Sequence, residues 1–156
     1  WVKNPTDVEE IAIKNVQELF SGAGIDCFVE KDIEAVIWKK YVLNCAYNVL
    51  TAYYKATTGD LRNDPNRVEE YKHLLAEACL VGRTKGVNIP ETMEEEQLDH
   101  FLHVQAEGAT SSLRRDMDLG KANELDTFSG YLLEEGMKYG LELPYTRHFY
   151  NELKKR

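Results

Sequence analysis

The chain has 156 residues, of which 43% are hydrophobic and 29% charged, with a formal net charge of −8. This length and composition are those of a globular protein with a hydrophobic core, and they argue against a disordered chain. The Lys and Arg residues are scattered and no apolar run reaches the roughly 20 residues of a membrane-spanning helix, so we expect neither a nucleic-acid nor a membrane partner.

The first part of the chain predicts one helix and one strand. Residues 7–21 carry apolar side chains at helical spacing, with Asp7 as the expected N-cap and Gly22 and Gly24 ending the helix. Residues 25–30, "IDCFVE", alternate apolar and polar side chains, as strands do. A single strand needs a partner, so we expect it to pair outside this sequence or between two copies, which makes a homodimer a candidate assembly.

The rest of the chain is predicted to be helical from about Asp32 onward. The predicted helices cover residues 32–55, 66–84, 91–106, 111–119, 123–139 and 145–154. The sequence therefore predicts a mainly α fold of about six helices, with a short αβ unit at the N-terminus.

Two short patterns suggest ligand sites that their context does not support. Gly22 and Gly24 lie between a helix and a strand, whereas a dinucleotide site needs the glycines between a strand and a helix. His100 and His103 share a helical face with Glu96, a spacing that could hold a metal, but no further ligand clusters with them. We predict neither a nucleotide-phosphate site nor a metal site here.

The cysteines indicate a reducing environment. Cys27, Cys45 and Cys79 form no CxxC pair, and each lies among apolar neighbours. We interpret all three as reduced core residues of a cytoplasmic protein.

The helix predicted over residues 35–54 carries an unusual polar stripe. At about 100° per residue, Asn44 and Asn48 lie about 40° and 80° from Lys40, while Lys39 lies about 100° away. Most of the remaining circumference is apolar, and buried polar groups need partners. The stripe is either bonded internally, with its lysine reaching the surface, or faces a ligand.

A second polar cluster lies in residues 109–130, "ATSSLRRDMDLGKANELDTFSG". Ser111 and Ser112 open a helix, and Glu124 lies near the start of the next one. This is capping chemistry, or a set of donors for an anion such as a carboxylate.

Together these segments resemble the C-terminal substrate-binding domain of the ketopantoate reductase family. "IWKKYVLNCAYN" is similar to the family's W-x-K-x-x-x-N-x-x-x-N helix, and "SSLRRDMDLGKANELDTFSG" to its S-S-M-x-x-D…T-E-I-D…G signature. "YGLELPYTRHFYNELK" is similar to its closing G-I-x-x-P turn and last helix. The resemblance spans residues 32–156 and implies a helical bundle resembling the 6-phosphogluconate dehydrogenase C-terminal-domain-like fold.

The resemblance also implies a domain organisation. Residues 32–156 would be the helical substrate-binding and catalytic domain, and residues 1–31 the closing helix and strand of a preceding nucleotide-binding domain. That domain would bind most of the NADPH, with no cofactor-binding residue assigned in this chain. The opening at Trp1, without methionine, fits a piece of a longer polypeptide that is inactive alone.

The activity implied by the resemblance is NADPH-dependent reduction of 2-dehydropantoate to pantoate, in the cytoplasmic route to pantothenate and coenzyme A. Lys40 matches the family's catalytic lysine, and we expect it to act as a general acid assisted by Glu124. Asn44 and Asn48 match asparagines of the substrate pocket, and Ser112 matches the serine that binds the substrate carboxylate.

The sequence departs from the family pattern at three positions. Ala109 stands where a pocket asparagine is common, Leu113 replaces a methionine and Asn123 replaces a threonine. Ala109 removes a polar contact, which leaves open a related NAD(P)-dependent reductase of another 2-keto acid. A non-catalytic acidic helical dimerisation or binding module is the alternative from another class.

Overall fold

The structure, a computed structural model, describes residues 5–156 and is helical throughout its regular parts. The α-helices are α1 (Asp7–Gly22), α2 (Ile33–Tyr54), α3 (Thr58–Arg62), α4 (Pro65–Thr84), α5 (Met93–Asp99), α6 (Ser112–Asp118), α7 (Tyr131–Lys138) and α8 (Pro144–Leu153). Two π-helical turns, His100–Val104 and Asp126–Gly130, follow α5 and precede α7. The predicted mainly α fold is confirmed.

The helix of the predicted N-terminal αβ unit is present, but its predicted strand is wrong. Residues 25–30 have no regular secondary structure, and no residue in 5–156 is in a strand, because a strand requires a hydrogen-bonded neighbour. The predicted N-cap is also wrong, since α1 is capped by Thr6 rather than Asp7. The Thr6 N–H donates to Glu9 Oε2 at 2.8 Å, and Thr6 Oγ1 accepts from the Glu9 N–H at 3.4 Å. The helix ends at Gly22, as predicted.

The described residues before α2 add nothing to the core. No residue of α1 is buried, and its large apolar side chains are exposed: Val8, Ile11, Val16, Leu19 and Phe20. Cys27 is half-buried, so the prediction that it is a core residue is wrong, whereas Cys45 and Cys79 are buried as free thiols. Residues 1–4 of the predicted 1–31 unit lie outside the described residues.

The core is built around α2, which contacts α4, α6, α8 and the turn at 126–130. Because α2 is apolar on most sides, its middle can be covered by several helices, and Val42, Ala46, Val49 and Leu50 are fully buried. Gly82 allows α4 to approach α2 closely. A Cβ atom there would lie 2.8 Å from Trp38 Cε3 and closer still to Ile89.

The helices predicted at 91–106 and 123–139 are shorter than predicted: α5 and the π-helical turn after it end at Val104, and the second segment begins with the π-helical turn at Asp126. Arg62 donates to the carbonyl of Phe101 at 2.5 Å and to that of Gln105, so it binds oxygens at the end of the first segment. Asn123 Oδ1 accepts from the Leu125 N–H at 3.1 Å, which forms a turn in place of a first helical turn.

A buried carboxylate on α7 predicts a measurable pH dependence of stability. Hydrogen bonds from Lys138, at 2.7 Å, and from Lys85 hold the pKa of the Glu135 carboxyl below its usual value. A group with a lowered folded-state pKa stabilises above its unfolded pKa, and this contribution is lost as pH falls through the folded value. We expect the wild-type Tm to exceed that of Glu135→Gln near neutrality and to converge with it between about pH 6 and pH 3.

The matched control for this prediction is Glu134→Gln, because Glu134 is exposed and pairs with the same Lys138 at 3.2 Å. Exposed ion pairs contribute little, so this variant should follow the wild-type curve. Parallel Tm curves for the wild type and Glu135→Gln across the whole range would contradict the prediction.

Candidate active site

The predicted polar stripe lies on α2 and runs from solvent into the core. Lys40 is exposed, Asn44 is half-buried and Asn48 is buried. Asn48 Nδ2 donates to Asn44 Oδ1 at 3.2 Å, which leaves the Asn44 amide N–H groups without a partner among the described residues. The stripe is thus bonded internally at its buried end and retains free donors toward its exposed end.

The start of α6 meets this stripe. Ser112 is exposed, and its Oγ lies 3.5 Å from Asn48 Oδ1. Its neighbour Ser111 is buried and caps α6, accepting from the Arg114 N–H at 3.1 Å. The two serines therefore differ in role, because one completes the helix start while the other presents a hydroxyl beside Asn48.

Lys40 lies at the edge of a cleft of about 440 Å³ between α2 and the segment around α5. Lys39, in the same cleft, pairs with Glu96 at 3.1 Å. Lys40 forms no hydrogen bond or ion pair with any residue in 5–156. Of the two adjacent lysines, Lys40 is therefore the one whose ammonium is available to a ligand.

Glu124 lies in the connection between α6 and the π-helical turn at 126–130. Its side chain is exposed and bonds to no described residue, and it forms no ion pair with Lys40. The Tyr41 O–H donates to the Thr127 carbonyl at 2.7 Å, and burial raises the pKa of this phenol, which keeps it a donor. The turn after Glu124 is thereby tied to α2 one residue beyond Lys40.

The segment that leads into Ser111 is held by the start of α3. The N–H groups of Thr58 and Gly59 donate to the carbonyls of Ala109 and Glu107, at 2.9 and 2.8 Å. The Thr58 hydroxyl also lies 3.3 Å from the Ala109 carbonyl. Ala109 thus contributes a fixed backbone oxygen, while its methyl group makes no polar contact.

The largest of the clefts described here and the two histidines of residues 100–103 lie apart from the predicted site residues. A larger cleft, of about 630 Å³, lies between α1, residues 29–34 and the Gly86–Asn88 region, and none of the predicted site residues lines it. His100 and His103 are both exposed, and the described residues include no group of three or more potential metal ligands. No helix within residues 5–156 is long and apolar enough to cross a membrane.

The structure brings Thr51 and Tyr41 to the site, and neither was selected from the sequence. Thr51 could have been found, because it follows Lys40 by eleven residues and so lies about 20° from it on the helix, within the polar stripe. Tyr41 had no such signal, since a phenol beside a lysine gives no indication that it reaches a turn far away in sequence.

Comparison with known proteins identifies the domain. A family model described as ketopantoate reductase PanE/ApbA C terminal matches residues 32–156. The chain belongs to the ketopantoate reductase family. The matched range coincides with the helical domain from α2 to α8 that carries Lys40, Asn44, Asn48 and Ser112.

The relatives of this ketopantoate reductase domain are longer proteins. The chain is 32% identical over 127 residues to a 2-dehydropantoate 2-reductase of Yersinia pestis, covering 80% of this chain and 40% of that protein. It is 28% identical over 141 residues to the uncharacterized oxidoreductase YkpB of Bacillus subtilis, covering 90% and 46%. The chain thus spans less than half the length of these curated relatives.

Two of the solved structures that share the fold are also longer proteins. The dimeric ketopantoate reductase of Staphylococcus aureus superimposes with a TM-score of 0.85 at 21% identity, over 92% of this chain and 50% of that one. A D-mandelate dehydrogenase solved with NADH and anilino(oxo)acetate gives a TM-score of 0.83 at 18% identity, over 97% and 50%. At these identities the likeness shows the fold alone.

Proposed function

We propose that this chain is the substrate-binding domain of an NADPH-dependent 2-dehydropantoate 2-reductase, which forms pantoate on the cytoplasmic route to pantothenate and coenzyme A. The observation that carries the proposal is the cluster of Asn44, Asn48 and Ser112, with the unpaired Lys40 one helical turn before Asn44 on α2, in a domain of the ketopantoate reductase family. A small keto acid presents carboxylate, carbonyl and hydroxyl oxygens, and this cluster supplies amide, hydroxyl and ammonium donors for them.

Substrate binding is assigned to the three polar groups of α2 and α6. When substrate binds, the exposed Ser112 hydroxyl turns its one proton from Asn48 Oδ1 to the substrate carboxylate, and the free amide N–H groups of Asn44 donate to a second oxygen. Asn48 Nδ2 donates to Asn44 Oδ1 and so holds the Asn44 amide in place. Together they would fix the orientation of the ketone relative to Lys40.

Proton delivery is assigned to Lys40. NADPH, when bound, supplies the hydride that reaches the carbonyl carbon. The Lys40 ammonium donates a proton to the ketone oxygen as negative charge develops there, and the neutral amine regains a proton from water. Glu124, on the turn that Tyr41 ties to α2, assists by favouring the charged form of the lysine.

The nucleotide is assigned to a separate domain preceding this one. Residues 5–156 contain no strand followed by a glycine-rich turn and a helix, so nothing described here fits the phosphates of NADPH. The exposed apolar side chains of α1 offer that domain a packing surface, and we assign residues 1–31 to its closing segment. The chain alone should therefore not reduce a keto acid.

The decisive test is an assay of the complete polypeptide with 2-dehydropantoate and either NADPH or NADH, followed by nicotinamide absorbance. We expect reduction of 2-dehydropantoate, with a higher kcat/KM for NADPH. A G-x-G-x-x-G sequence after a strand in the upstream coding region is expected as well. Absence of both the motif and the activity would favour a non-catalytic acidic helical module.

A second candidate is a reductase of another 2-keto acid, and Ala109 is the observation that favours it. Its methyl group replaces a polar side chain beside Ser111 and Ser112, which would suit a less polar substrate. The D-mandelate dehydrogenase with the same fold acts on a 2-hydroxy acid, by its name. A panel of 2-keto acids that differ in the polarity of their side group separates the two candidates.

The proposal extends to the oligomeric state of the complete polypeptide. The Staphylococcus aureus protein with this fold is described as dimeric, and we propose a homodimer here too. Light scattering of the complete polypeptide across a concentration series tests this, and a mass that stays at one subunit would exclude it.

A further inference from the structure

A buried hydroxyl pair connects α2 to the start of α6. Thr51 Oγ1 lies 2.6 Å from Ser111 Oγ, 2.7 Å from the Tyr47 carbonyl oxygen and 3.1 Å from that of Asn48. Thr51 is fully buried and Ser111 is 4% exposed. Hydroxyl oxygens this close and this well shielded from water must share a proton in a hydrogen bond.

Thr51 is the donor in this bond, and Ser111 Oγ is the acceptor. Thr51 has one hydroxyl proton, and the carbonyl oxygens of Tyr47 and Asn48 lie within reach of the same proton. Ser111 Oγ also accepts from the Arg114 N–H. Ser111 Oγ therefore joins the first turn of α6 to α2.

These two bonds fix the rotamer of Ser111 and with it the position of Ser112. Ser111 Oγ accepts from both the Thr51 hydroxyl and the Arg114 N–H, and Ser111 is buried, so it is not the serine that a ligand meets. The next residue, Ser112, is exposed and lies 3.5 Å from Asn48 Oδ1. Thr51 follows Asn48 by three residues on the same face of α2. This one face therefore carries Asn48 itself and, through the bond from Thr51 to Ser111, also positions Ser112.

We propose that Thr51 is a positioning residue that acts through Ser111 to hold Ser112 against Asn48 in the geometry that binds the substrate carboxylate. The inference rests on the proposed function. Thr51 makes no contact with the substrate itself, because its hydroxyl is fully buried and already bonded. Since Ser112 binds ground state and transition state alike, loss of Thr51 acts on KM rather than on kcat.

The test uses Thr51→Val and Thr51→Ser in the complete polypeptide. Valine keeps the shape and removes the hydroxyl, and we expect KM for the keto acid to rise about tenfold with kcat nearly unchanged. Serine keeps the hydroxyl and should restore KM to near the wild-type value. The matched control is Thr146→Val, because Thr146 is equally buried and its hydroxyl has no partner among the described residues.

A double variant tests whether Thr51 acts through Ser111. If it does, Thr51→Val adds nothing to the KM effect of Ser111→Ala, whereas independent roles would be additive. Hydrogen exchange in residues 111–118 should rise in Thr51→Val and stay unchanged in Thr146→Val. These results would support the positioning of Ser112 by Thr51 through Ser111.

Several outcomes would overturn the proposal. They are an unchanged KM in Thr51→Val, an equal KM rise in Thr51→Ser, and additivity with Ser111→Ala. A lowered Tm with an unchanged KM would show that Thr51 only packs the core. If the wild type reduces no 2-keto acid, the proposed function is wrong. In that case unchanged hydrogen exchange in residues 111–118 of Thr51→Val would separately overturn the positioning role of Thr51.

Discussion

We expect Lys40→Ala to lower kcat of the complete reductase by about 10²- to 10⁴-fold, the range that a positioned general acid contributes. The KM for the keto acid should change much less, because Asn44, Asn48 and Ser112 remain in place. The measurement is steady-state oxidation of NADPH at saturating substrate, with single-turnover kinetics to separate the reduction step from product release.

The expected loss follows from the charge that develops on the ketone oxygen. Hydride arrival at the carbonyl carbon leaves an oxyanion, and an ammonium beside it both stabilises the negative charge and supplies the proton. In the structure the Lys40 side chain has no partner in residues 5–156, so no intramolecular ion pair has to break before it meets substrate. Its exposure also gives water access to return the proton.

Lys39→Ala is the matched control, because it removes the same charge one residue earlier in the chain. Lys39 pairs with Glu96 at 3.1 Å on the surface, and Glu96 is also bonded to Thr92. Exposed pairs of this kind contribute little, so kcat and Tm should both stay near the wild type. A Lys40→Ala enzyme with near-normal kcat, or an equal loss in Lys39→Ala, would exclude Lys40 as the general acid.

The sequence predicted the site segments well because helical periodicity is a strong local signal. The spacing of Lys40, Asn44 and Asn48 placed them on one face, and the helix that contains them has nearly the predicted ends. The contact between Asn48 and Ser112 depends on how α6 packs on α2, which periodicity does not specify. The division of roles between Ser111 and Ser112 depends on the same packing, so it needed the structure.

The predicted strand and some predicted helix ends failed where tertiary contacts override local preference. The alternation at residues 25–30 is a real strand pattern, but pairing requires a neighbour that the described chain lacks. The π-helical turn at His100–Val104 ends where the Arg62 guanidinium binds the carbonyls of Phe101 and Gln105. The composition of residues 91–106 gives no indication of this contact, because Arg62 lies about forty residues earlier in the sequence.

Glu77→Ala is expected to be strongly destabilising while it leaves the active-site residues untouched. Glu77 lies on α4 and is buried, and its two carboxylate oxygens accept from the backbone N–H groups of Tyr145 and Thr146, at 2.9 and 2.8 Å. These are first-turn N–H groups of α8, which have no partner within the helix. Alanine leaves both unsatisfied, and we expect a loss of about 2–4 kcal/mol, seen as a lower Tm and faster exchange of these amides.

A graded variant separates this capping role from simple loss of volume. Glu77→Gln keeps the size of the side chain and one acceptor oxygen, but turns an N–H₂ group toward the second backbone N–H, so it should lose about half of the stability that alanine loses. Glu142→Ala is the control, because Glu142 is exposed beside the same helix start and bonds to no described residue. If Glu77→Gln matched the wild type while Glu77→Ala did not, packing rather than hydrogen bonding would hold α8.

Because α8 packs on α2, loss of the cap should also loosen the helix that carries Lys40, and kcat should fall only as far as the folded fraction falls.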